Sequence, residues 1–148
     1  MLRIAVQSKG RLFEDTMALF AEADIKLSTS KRTLLTQSSN FPIEVLFLRD
    51  DDIPQSVASG VADLGIVGEN EFVERKEKAD IIYRLGFSKC RLSLAVHKEE
   101  EYNGPSWFNG KKIATSYPGI LQTYLDKQGI NADTVSYTHL TLPTICSV

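Results

Sequence analysis

Cysteine is scarce in this chain. Cys90 and Cys146 are the only two, too few for a disulfide framework and without the spacing of a metal site, a usage that fits a reducing, cytoplasmic setting. Histidine is equally rare, and His97 and His139 stand isolated, which suggests no metal centre. No run approaches the ~20 apolar residues of a membrane span. The amino terminus enters an apolar strand directly and is broken by Lys9 and Arg11, so it lacks the apolar core of a signal peptide. Excess charge is missing as well. A net charge of −2 over 148 residues gives no global reason to expect nucleic acid or an anionic membrane as a partner, so any anion site has to be local. There is no internal repeat and no low-complexity tract. What is present is 43% hydrophobic residues, enough for a real core, yet the chain is short for two complete domains.

The stretch from Arg49 to Asn70 organises the rest. Ile53, Val57 and Val61 recur every fourth residue and predict a helix, its start marked by Asp50, Asp51, Asp52 and an early proline. The aspartates are either a helix-start cluster or include one that orders a basic loop or a sugar hydroxyl. Leu64 to Val67 then reads as a short apolar strand running into Gly68-Glu69-Asn70. A glycine there lets a ligand or another backbone come close, and a pocket at the carboxyl end of such a strand is the expectation for an α/β sheet.

Upstream, Leu2 to Val6 has the pattern of a strand buried on both faces. Phe13, Met17 and Phe20, widened by Leu12 and Leu19, predict a helix over roughly residues 12–23. Between them lies Ser8-Lys9-Gly10-Arg11. Two cations at a helix start oppose the macrodipole, which makes sense where they and the free backbone N–H groups receive an anion; a solvated basic loop is the competing reading. Residues 25–27, 33–37 and 43–48 read as strands separated by Ser/Thr/Lys and Ser-Ser-Asn turns.

Downstream, residues 71–78 read as a charged peripheral helix capped by Asn70, and 80–85 and 91–96 as two strands. Gly86 to Cys90 marks a crossing to a second lobe. Cys90 itself is more simply a buried small apolar residue than a nucleophile. Residues 98–109 read as a surface excursion. A strand at 113–115, a loop at Ser116-Tyr117-Pro118-Gly119 and a helix over 120–127 follow, with Leu121, Tyr124 and Leu125 inward and Gly129 as the stop. That loop either binds a phosphate or carboxylate at the helix start or is a plain connection.

Taken together, five blocks resemble the ATP phosphoribosyltransferase family over about residues 1–135: Arg3-Ile-Ala-Val-Gln-Ser-Lys-Gly-Arg-Leu12, Arg49-Asp-Asp-Asp-Ile-Pro54, Asp63-Leu-Gly-Ile-Val-Gly-Glu-Asn70, Cys90-Arg-Leu-Ser-Leu-Ala95 and Asn109-Gly-Lys-Lys-Ile-Ala-Thr-Ser-Tyr-Pro118. The resemblance implies a two-lobed α/β fold similar to periplasmic (type II) binding proteins, with a first lobe at 1–88 and a second at 89–135. It also implies transfer of phosphoribosyl from phosphoribosyl pyrophosphate to N1 of ATP with Mg²⁺ and release of pyrophosphate, the first step of histidine biosynthesis. Histidine and AMP are implied inhibitors, and the complete protein a homo-oligomer. Carried onto this sequence, the expected site comprises Lys9 and Arg11 against the nucleotide, Asp50 and Asp51 steadying the basic loop or ribose, Gly68, Glu69 and Asn70 on the cleft wall, and Arg91, Ser116 and Tyr117 from the second lobe. A non-catalytic two-lobed small-molecule binding module is the alternative.

One departure stands against these matches. The family continues into an acidic strand end and a Thr/Ser-Gly loop for the 5′-phosphate of phosphoribosyl pyrophosphate, whereas residues 136–148 read Ser-Tyr-Thr-His-Leu-Thr-Leu-Pro-Thr-Ile-Cys-Ser-Val. This tail is expected to be non-native, a processing scar, with a β-rich tail as the other reading. The chain as written is therefore expected to lack transferase activity, and its first lobe to leave an apolar edge poorly covered.

Overall fold

In the computed structural model, residues 1–28, 30 and 32–136 are described, and residues 137–148 of the tail lie outside them. The chain is mixed α/β and divides into two units, one spanning Met1–Lys89 and the other beginning at Cys90.

The first unit is built on a four-stranded sheet in the order β2-β3-β1-β4, with β1 at Leu2–Gln7, β2 at Leu35–Gln37, β3 at Ile43–Leu48 and β4 at Leu64–Gly65. β1 runs parallel to β3 in register Leu2 to Ile43 through Gln7 to Leu48, and parallel to β4; β2 is antiparallel to β3. As expected of a strand covered on both faces, β1 sends Ile4 and Val6 to one core with Val45, Phe47 and Phe20, and Ala5 to another with Ile53 and Ala62. Helix α1, Arg11–Glu22, lays Phe13, Met17 and Phe20 on the first of these cores, the stripe that its spacing predicts.

A 3₁₀ turn at Asp50–Asp52 leads into α2, Ile53–Ala58. The helix stops short of Val61, which is 48% exposed. Gly60 adopts φ +78° and turns the chain so that Ala62 goes inward instead. The tight approach falls at Gly65, not Gly68: a Cβ on Gly65 would stand 2.7 Å from Ile53 Cγ2 and 3.0 Å from Val57 Cγ2, whereas one on Gly68 would meet no protein atom within 4 Å. Gly68, with φ −67°, is the N-cap of α3, Glu69–Arg75, in place of the expected Asn70, which sits inside the helix. At the far end of the sheet, the Arg3 guanidinium ties β1 to β3 through Glu44 Oε1 (2.7 Å) and to the turn between α2 and β4 through the Val61 carbonyl (3.0 Å).

Three expected strands are corrected. Residues 80–85 and 91–96 form none, and of 25–27 only Leu27 makes an isolated bridge, to Ser38. Alternation records which side chains seek burial, but a strand also needs a neighbour to take its backbone bonds, and no ladder among the described residues reaches these segments. Ile82 and Tyr83 are accordingly 76% and 77% exposed, and Cys90, expected to be buried, is exposed between the segments 80–85 and 91–96.

The second unit contains a strand–helix–strand motif: β5 at Lys112–Thr115, α4 at Pro118–Gln128, and β6 at Asp133–Ser136, which pairs parallel to β5 from Lys112–Asp133 to Thr115–Ser136. Its core is Phe108, Leu121, Leu125 and Ile130. Tyr124, expected inward, is exposed, because Leu121 and Leu125 already fill the covered stripe of α4. Nor is 98–109 purely a surface excursion: Pro105–Phe108 is a 3₁₀ turn that buries Phe108 among Tyr102 and Trp107, with Lys111 Nζ 4.7 Å from the Trp107 ring centre. Gly129, at φ +66°, ends α4 as expected.

Candidate functional site

β1 sits between two parallel neighbours, and the chain leaves it first toward β2 and β3, then returns by α2 to β4 on its other side. Its carboxyl end is therefore a topological switch point, where open α/β sheets hold their ligands. A cavity of about 770 Å³ opens beside this end, lined among the described residues by Ser8 and Lys9 after β1, Leu48 at the end of β3 with Arg49 and Asp52 beyond it, the loop residues Ser30, Arg32, Thr33 and Leu34, and Phe13 with Phe47.

Two kinds of surface meet in it. Among the described lining residues, Lys9, Arg32 and Arg49 supply three cations, one of them paired with Asp51, against the carboxylate of Asp52, so an anion entering finds net attraction. Hydroxyls from Ser8, Ser30 and Thr33 add hydrogen-bonding capacity, and the last two are joined at 2.5 Å between Oγ and Oγ1. The other surface is apolar. Phe47 lies edge-on to Phe13 with ring centres 6.1 Å apart, and the Phe47 N–H donates to the Leu34 carbonyl at 2.8 Å, which places Leu34 beside it.

The local chain dictates this arrangement. The Ser8 N–H donates to the Leu48 carbonyl at 2.9 Å, extending the β1–β3 ladder to the rim. Gly10 then takes φ +90°, a conformation suited to glycine, and α1 starts at Arg11 without a side-chain cap. Of the two cations expected at this turn, Lys9 lines the cavity; Arg11 is exposed on the first residue of α1 and does not line it. Of the aspartates, Asp52 lines the cavity, while Asp51 Oδ2 pairs with Arg49 Nη2 at 3.3 Å and Asp50 Oδ1 accepts the Asp51 N–H at 3.0 Å. Asp51 Oδ1 is buried with no hydrogen-bond partner among the described residues.

The remaining expected residues lie elsewhere. Gly68, Glu69 and Asn70 form the start of α3, where Glu69 pairs with Arg84 at 2.7 Å. Arg91, Ser116 and Tyr117 belong to the second unit: Arg91 and Ser116 are exposed, and Tyr117 caps α4, its N–H donating to Thr115 Oγ1 at 2.9 Å. Arg32, Thr33 and Leu34 were not expected in a site. The available signal was a pair of adjacent cations at 31–32 between hydroxyl residues, a pattern that reads equally well as a turn.

The model of the family described as ATP phosphoribosyltransferase matches residues 49–138, more than half of the chain. The chain belongs to the ATP phosphoribosyltransferase family. Its sequence is 79% identical over 133 residues to the ATP phosphoribosyltransferase of Phocaeicola vulgatus and 78% identical to that of Bacteroides fragilis, in each case over 90% of this chain and 47% of the relative. That of Cytophaga hutchinsonii is 54% identical over 132 residues. The chain thus spans about half the length of the curated relatives it matches. Among solved structures, a chain of the ATP phosphoribosyl transferase (HisG:HisZ) complex from Thermotoga maritima matches with a TM-score of 0.60 and 21% identity, over 94% of this chain and 65% of that one. At that identity the likeness concerns the fold alone.

Proposed function

We propose that these residues serve an ATP phosphoribosyltransferase, with the first unit providing the nucleotide-facing part of the site. One observation carries the reading: a cavity at the switch point of the sheet whose rim brings together Lys9, Arg32 and Arg49, in a chain of this family. The reaction joins N1 of adenine to C1′ of the ribosyl group while the C1′–oxygen bond breaks and pyrophosphate leaves with its electron pair. Such a step asks little covalent chemistry of the protein. It needs two polyanions held together and the charge on the departing pyrophosphate neutralised, and three cations around one cavity are suited to that.

Among the described residues no group of three His, Cys, Asp or Glu side chains is placed to hold a metal. Magnesium commonly binds through one or two carboxylates plus substrate phosphates, and Asp52 at the cavity fits that mode. The ion, when bound, neutralises phosphate charge. In this reading Lys9 contacts the nucleotide, Arg11 adds charge from the helix start, Asp50 and Asp51 steady the rim, and Gly68, Glu69 and Asn70 with Arg91, Ser116 and Tyr117 shape the remainder of the site. A two-lobed architecture of the periplasmic-binding type, a homo-oligomer acting in the cytoplasm at the first step of histidine biosynthesis, and inhibition by histidine and AMP complete the proposal for the whole protein.

The test is pyrophosphate release by protein carrying this sequence at the relatives' full length. Release that needs ATP and phosphoribosyl pyrophosphate together, with ATP gaining one phosphoribosyl group by mass, is expected. Absence of that adduct would remove the reading.

A further inference from the structure

The cations of the cavity account for a polyphosphate but not for the opposite character of Phe13, Leu34 and Phe47. Leu34 is 72% exposed although it lines the cavity. A large aliphatic side chain left in water beside three cations is unfavourable by itself, and it becomes useful when a ligand carries an apolar face next to its charge. A nucleotide has that composition, and about 770 Å³ lies within the usual range of a small-molecule site.

We propose that Leu34, tethered to Phe47, is the platform for the adenine ring, while Lys9, Arg32 and Arg49 take the phosphates. This rests on the nucleotide reading above and adds where the base sits. Leu34 is fixed by the bond between its carbonyl and the Phe47 N–H, and Phe47 by its edge contact with Phe13, so the platform is carried by β3 and α1 and not by the loop alone. Contact with the ring face leaves the ring edge free. N1 then stays open to a second reactant, which a pocket gripping the base by its edge would block. Such contact also tolerates other bases, since each has a comparable face, so the platform favours nucleotides over bare polyphosphate more than it favours one base over another.

The test compares two probes on the full chain by isothermal titration in the presence of EDTA: ATP, and inorganic tripolyphosphate, which carries at least as much negative charge and no base. ATP is expected to bind more tightly, and Leu34→Ala to weaken ATP about tenfold while leaving tripolyphosphate unchanged. Exposed Leu34 supports little of the core, so the variant should melt with the parent. Replacing Leu34 by Trp, with a larger face, should tighten ATP. Equal affinity for the two probes, or an ATP affinity indifferent to both substitutions, would overturn the platform and leave the anion rim standing. Failure of the parent chain to bind tripolyphosphate would instead remove the rim, and the platform with it.

Discussion

Replacing Arg32 with alanine separates binding from folding more cleanly than any other change at the cavity. The side chain is exposed and lines the cavity, and it forms no ion pair among the described residues, so its loss should alter stability by less than about 0.5 kcal/mol. Its effect on an anion should be much larger. A unit charge 4 Å from a phosphate oxygen is worth about 4 kcal/mol at an effective dielectric of 20, but solvent and salt reduce this at a rim with a Debye length of about 8 Å. A hydrogen bond to a charged group, at about 1.5–3 kcal/mol, is the better guide, and corresponds to roughly 10–100-fold in affinity. Titration of parent and variant with ATP at two salt concentrations should show that loss, together with a shallower salt dependence. Arg11→Ala, one helical residue beyond the cavity wall, should lose less. A variant binding within twofold of the parent, or one losing melting temperature in proportion to affinity, would refute the assignment of Arg32.

Other changes probe the frame. Gly65→Ala places a methyl against Ile53 and Val57, where Ile53 is fully buried, and should cost about 1–3 kcal/mol in urea unfolding; a neutral result would mean that α2 can move away from β4 freely. Arg3→Ala strands the half-buried Glu44 and frees the Val61 carbonyl, with an expected loss of about 1–2 kcal/mol by thermal melting and no change in ATP affinity. Asp51→Asn should change stability by under about 1 kcal/mol yet weaken ATP binding several-fold as Arg49 loses the carboxylate that aims it. Unaltered binding in that variant would reduce Asp51 to a helix-start residue.

Where periodicity and burial coincide, the fold is legible in the sequence. Phe13, Met17 and Phe20 repeat at helical spacing and pack where that spacing directs them, and the apolar runs of β1 and β3 become the parallel centre of the sheet. Alternation misleads at 91–96, because a pattern of apolar residues names no partner. The short, polar Asp133–Ser136 becomes a strand only because β5 lies beside it. In the cavity, Lys9 was legible because cations at a helix start contradict the macrodipole and so call for an explanation. Arg32 and Leu34 were not, since their role depends on a fold that carries residues 30 and 32–34 alongside the ends of β1 and β3. Glycines show the same limit: Gly68 looked like the close approach, yet only the packing of α2 reveals that Gly65 is the one.

Amide chemical-shift mapping of the full chain during ATP titration tests the central claim most directly. Saturable shifts concentrated at Ser8, Lys9, Arg32 to Leu34 and Arg49 to Asp52 are the predicted result. Shifts confined to other residues, or none at millimolar ATP, would contradict a nucleotide site at the carboxyl end of β1.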